Sequence, residues 1–105
     1  MISKKTISEV TRLLKKAAPG STIILFGSHA RGEAGEKSDL DIMVVEEEVK
    51  ARRKEMVRLS DVLRPLGIPV DIIVTSRKNF EAWKKFPGTL IHQVAKRGKI
   101  LYGQN

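Results

Sequence analysis

Apolar residues follow two alternating rhythms along this chain. Between Ser3 and Ala18, positions Ile7, Val10, Leu13, Leu14 and Ala17 recur at the spacing of one helix face. Ser3 offers a capping oxygen at the start, and Pro19-Gly20 stops the run. "STIILF" (21–26) is then continuous and β-branched, which predicts a short buried strand. Gly27 to about Gly32 predicts a turn that opens a short helix, and "EAGEKS" (33–38) a loop. "DLDIMVV" (39–45) predicts a second strand, apolar on both faces beyond its two acids, as a central strand is. Val49 to Arg64 reads as a long charged helix with Val49, Met56, Leu59, Val62 and Leu63 inward, closed by Pro65 and Gly67. "IPVDIIV" (68–74) predicts a third strand. Ser76 caps a helix that carries Phe80 and Trp83, both expected in the core, and Pro87-Gly88 ends it. Thr89 to Arg97 predicts a last helix with Leu90, Ile91, Val94 and Ala95 inward and Gly98 as its stop. "KILY" (99–102) predicts a short edge strand. The order implies an α+β fold, a small mixed β-sheet flanked by helices.

The acids interrupt this pattern. Strand side chains alternate faces, so Asp39 and Asp41 point one way and Leu40, Ile42 and Val44 the other. If the third strand lies beside the second, Asp71 joins the same face, because Val70, Ile72 and Val74 alternate away from it. Acids gathered at one spot raise each other's pKa unless a cation intervenes. Magnesium fits, being a hard ion held by one or two carboxylates together with substrate phosphates. With no cysteine and only His29 and His92, a zinc site has little support. Asp-x-Asp alone is a common pattern: Asp39 could cap a turn after Ser38, Asp41 pair with a basic neighbour, and Asp71 mark a strand edge.

What precedes the acids makes the pattern specific. Gly27 follows a β-branched run, where glycine permits a tight turn and close approach of a phosphate to the backbone. The Ser28 hydroxyl and the amides at the start of the following helix are anion-binding groups. Arg31, one turn on, points forked donors at the same place. Phosphates and carboxylates in one cleft repel, so a divalent cation belongs between them.

"FGSHARGEAGEKSDLDIMVV" resembles the motif of the DNA polymerase β-like nucleotidyltransferase superfamily: Gly-Ser, a spacer, Asp-x-Asp, and a third acid on a later strand. The wording around Gly27, Ser28, Ala30, Arg31, Gly32, Ser38, Asp39, Asp41 and Asp71 is similar to the minimal nucleotidyltransferases, which are often antitoxins paired with all-helical HEPN toxins. The resemblance implies the polymerase β-like fold. It also implies that Asp39, Asp41 and Asp71 are the catalytic and metal-binding acids, with two Mg²⁺ ions and ATP. Gly27, Ser28 and Arg31 would hold the nucleotide phosphates. AMP would pass to a hydroxyl, a tyrosine of the HEPN toxin. His29 occupies a variable site of the family and receives no role.

Composition narrows the partners. At 105 residues, one domain spanning 1–105 is expected. No apolar run approaches the ~20 residues of a membrane span, and "MISKKTISEV" is not expected to be a signal peptide. With the absence of cysteine, this gives a cytoplasmic expectation. The net charge is +8, but Lys and Arg are scattered over the predicted helices, without a contiguous basic tract or an RNA-stacking aromatic pair. Nucleic acid is therefore not the expected partner. Three alternatives remain: an antitoxin that neutralises by binding alone, a nucleic-acid-binding module, and nucleotidylation of a small molecule.

Overall fold

The structure, a computed structural model, describes residues 3–32 and 39–103. The expected loop at 33–38, with Ser38, lies outside the described residues. The elements are helix α1 (Lys4–Ala17), strand β1 (Thr22–Phe26), helix α2 (Ser28–Arg31), strand β2 (Leu40–Glu46), helix α3 (Arg52–Leu63), a 3₁₀ turn (Arg64–Leu66), strand β3 (Val70–Ser76), helices α4 (Arg77–Trp83) and α5 (Leu90–Arg97), and strand β4 (Lys99–Tyr102). The fold is α+β.

The sheet order is β3-β2-β1-β4. β1 runs antiparallel to both β2 and β4, while β2 and β3 are parallel. A parallel pair needs a crossover, and α3 supplies it. The two central strands are buried on both faces, which is why β1 and β2 read as apolar without alternation.

One face of the sheet, formed by Ile23, Leu25, Leu40, Ile42, Val44, Ile72 and Val74, packs on Val10 and Leu14 of α1 and Leu59 and Leu63 of α3. The other face, with Ile24, Met43 and Val45, packs on Phe80 of α4 and Val94 of α5. Ser3 caps α1 by accepting from the Thr6 amide at 3.2 Å, and Ser76 caps α4 by accepting from the Asn79 amide at 3.1 Å.

Four details differ from the pattern. β2 begins at Leu40, leaving Asp39 just ahead of the strand. α3 starts at Arg52, so Val49 meets the core from the approach to the helix. Trp83 is 48% exposed, because Phe80, one turn earlier, fills the space between α4 and the sheet. Its ring leans instead on Phe86, with centroids 5.6 Å apart. Leu90, expected inward, is 44% exposed at the first position of α5.

Candidate active site

The acids meet where β1 ends and β2 and β3 begin. β3 pairs with β2 so that Asp71 lies opposite Asp41, and β1 pairs so that Phe26 lies opposite Asp41 on the other side. Phe26, Asp41 and Asp71 thus form one row across three strands, on the face that carries Met43 and Ile73. Neighbouring strands are ~4.8 Å apart, so the two carboxylates stand side by side. Asp39 and Asp71 are exposed, and Asp41 is half-buried.

Gly27 follows Phe26 with φ +76°, a conformation that favours glycine. A Cβ placed there would lie 2.2 Å from Asp41 Oδ2. The backbone turn is therefore pressed against the carboxylate, and no other residue fits between them. α2 is a single turn, closed by the left-handed Gly32. Gly27 has no side chain with which to cap it. Ser28 is half-buried there, and the Arg31 amide donates to the Gly27 carbonyl at 3.2 Å.

Electrostatics tie the cluster together. Burial raises the Asp41 pKa first, then the negative charges of Asp71 and Asp39 raise it further; His29 and Arg31 oppose the shift. Asp41 thus feels both partner acids and both basic side chains of α2. The site gathers all six expected residues: Asp39, Asp41, Asp71, Gly27, Ser28 and Arg31. His29, at a variable site of the family and expected to have no role, acts on Asp41 as well. Its only sequence signal was a place between Ser28 and Ala30.

Among the described residues, no three His, Cys, Asp or Glu side chains converge into a ready-made metal cage. The donors present nevertheless suit magnesium. The three acids supply oxygens, their mutual repulsion calls for a divalent cation, and magnesium usually completes its shell with water and substrate phosphate.

Two depressions lie on the same face as the row. A cleft of about 170 Å³ runs from Phe26, Gly27 and Arg31 to Gln93 and Arg97 of α5. Those two residues are far away in sequence, so no local pattern could announce them. A second groove, of about 280 Å³, lies over Met43 and Ile73 and reaches Trp83. Leu90 borders both.

The family model described as nucleotidyltransferase domain matches residues 4–101. MJ0604 of Methanocaldococcus jannaschii, provisionally named a protein adenylyltransferase, is 33% identical over 105 residues, which cover 97% of this chain and 100% of the relative. The crystal structure of a toxin-antitoxin with AMP-PNP superposes with a TM-score of 0.68 at 25% identity, covering 92% of this chain and 73% of that one. A complex of tri-AMPylated Shewanella oneidensis HEPN toxin with MNT antitoxin gives a TM-score of 0.60 at 23% identity, covering 91% and 68%. This last likeness is one of fold.

Proposed function

Because this chain belongs to the nucleotidyltransferase domain family, we propose that it transfers AMP from ATP to a tyrosine hydroxyl of a HEPN-type toxin and so acts as its antitoxin. The observation that carries this reading is the row in which Asp41 faces Asp71 in register while the Gly27 backbone closes on the Asp41 carboxylate. The relative named for protein adenylyltransferase activity and the toxin-antitoxin neighbour with AMP-PNP support the acceptor being a protein.

Asp39, Asp41 and Asp71 would hold Mg²⁺ together with the triphosphate. The Gly27 turn lets the β- and γ-phosphates approach the backbone, and the Ser28 hydroxyl donates to one of their oxygens. Arg31 balances their charge. The acceptor oxygen attacks the α-phosphorus, its proton passes to Asp71, the bond to the β-phosphate oxygen breaks, and pyrophosphate leaves. When bound, two magnesium ions would stabilise the attacking and leaving oxygens of this in-line displacement. Among the described residues no helix is long and apolar enough to cross a membrane, in keeping with a cytoplasmic site of action.

The test is Mg²⁺-dependent transfer of label from α-labelled ATP to the co-expressed toxin. Asp39→Asn and Asp41→Asn are expected to abolish it while leaving the complex intact. Undiminished transfer by both variants refutes the reading. Full protection of cells by an Asp39, Asp41, Asp71 triple Asn variant would show neutralisation by binding alone.

A further inference from the structure

Resting on the transferase reading with its protein acceptor, we infer that Trp83, Phe86 and Leu90, ringed by the basic side chains of α4 and α5, dock an acidic face of that acceptor with an apolar centre. Single apolar residues on a surface need no explanation, but a contiguous group does. Trp83, Phe86 and Leu90 are 48%, 55% and 44% exposed. The Trp83 and Phe86 rings lean together, and Trp83 and Leu90 line the same groove over Met43 and Ile73. The core does not use them, since Phe80 and Val94 are the residues that α4 and α5 bury. Their backbone is nonetheless held. The Lys84 amide donates to the Phe80 carbonyl and the Phe86 amide to the Trp83 carbonyl, both at 3.0 Å. Thr89 Oγ1 donates to the Phe86 carbonyl at 2.8 Å, and His92 Nδ1 to the Lys84 carbonyl at 2.7 Å. A connection tied this closely presents its rings at little ordering cost on binding.

Charge selects the partner. From position 77 to 97 the chain carries Arg77, Lys78, Lys84, Lys85, Lys96 and Arg97 against one acid, Glu81. Lys84 already pairs with Glu81, and Arg77 lies 3.8 Å from it. A second copy of this chain would set like charge against like, whereas an acidic protein face is attracted and steered. A nucleic acid would meet the same charge, but it needs open ring faces on which bases stack. Trp83 and Phe86 are tilted by 56° against each other, which suits side chains packed edge to face rather than a stacking platform. The position also fits an acceptor. Asp41 and Asp71 lie on the sheet face that α4 and α5 cover. Leu90 lines the cleft that holds Gly27 and Arg31 as well as the groove that Trp83 lines. A protein seated on the patch therefore borders the Gly27 turn.

Trp83 is the sole tryptophan, so fluorotryptophan places one fluorine label on the patch. The labelled full chain is titrated with the unlabelled toxin of the transfer assay, and its fluorine resonance is expected to shift saturably. By calorimetry, Trp83→Ala and Phe86→Ala should each weaken the complex about tenfold or more. Lys85→Glu should slow association and flatten its salt dependence. All three variants should bind Mg²⁺–ATP as the unaltered chain does, which shows them folded. A toxin that does not bind the chain, a resonance that ignores saturating toxin, or native affinity in both alanine variants overturns the assignment. A shift that appears with chain concentration alone, with oligouridylate or with phosphatidylglycerol vesicles, and not with toxin, overturns it in favour of a second copy, RNA or lipid. The two readings fail separately. Native affinity and native transfer in the Trp83→Ala, Phe86→Ala double variant remove the patch and leave the transferase. A complex that depends on the patch but receives no label removes the transferase and leaves the docking surface.

Discussion

A methyl group on Gly27 would have to share space with the Asp41 carboxylate, 2.2 Å from Oδ2, on a backbone held at φ +76°. Gly27→Ala is therefore expected to destabilise the chain by about 1–3 kcal/mol in urea unfolding and to abolish nucleotide transfer, since the carboxylate must move. Asp41 shows the opposite balance of stability and function. Its folded pKa is raised by burial, Asp71 and Asp39, so the folded chain holds that proton more tightly than the unfolded one. The stability linked to it is full below the ordinary carboxylate range and is lost as pH rises through the raised value. At neutral pH the ionised group is a cost that the reaction requires. Asp41→Asn is expected to raise stability at pH 7 by about 1 kcal/mol while transfer disappears. A variant that is both inactive and less stable would contradict this balance.

At the scale of elements, the end of β2 away from the site meets α3 through a second carboxyl pair. Glu55 is gripped by Arg58 through two bonds of 2.7 and 2.8 Å, and Arg58 also donates to the Ala17 carbonyl at 2.9 Å, tying α3 to the end of α1. Glu46 Oε2 is buried there without a partner. Burial, followed by its contact with Glu55, pushes Glu46 up to about 7, while the bond to Arg58, then that to Glu46, pulls Glu55 down to about 2. The signs differ. Stability linked to Glu46 is full below pH 4.5 and lost as pH rises through about 7; that linked to Glu55 is full above pH 4.5 and lost as pH falls through about 2. Glu46→Gln is expected to flatten the decline between pH 4.5 and 7 and to add about 1 kcal/mol at pH 8, discounted for partial solvent contact. Chemical denaturation across that range checks both effects.

The molecule covers its sheet with α1 and α3 on one face and α4 and α5 on the other, while Asp39 and Asp71 at the acid-bearing end are exposed. That end concentrates like charge and does not stabilise itself, so a ligand that neutralises it must stabilise the folded state by mass action. Mg²⁺–ATP at a hundredfold excess over its Kd is expected to raise the Tm by about 10 °C, and EDTA to reverse most of that rise. A thermal shift indifferent to EDTA would point to a nucleotide site independent of the acids.

The order of helices and strands, the two-sided burial of β1 and β2, and the phase of Asp41 and Asp71 were all legible along the chain. Helical spacing, strand alternation and turn residues are local properties, and a period-two pattern fixes which side chains share a face. The Gly27-Ser28 turn was legible too, because its spacing before Asp39 and Asp41 is a one-dimensional feature. Only the tertiary structure decided that β3 lies in register beside β2, that Gly27 presses on Asp41, and that His29, Gln93 and Arg97 border the site. It also decided that Trp83 and Leu90 stay partly exposed, since an apolar residue is buried only where another element has space for it, and Phe80 had already filled that space. Periodicity states which way a side chain points; what it meets depends on segments far away in sequence.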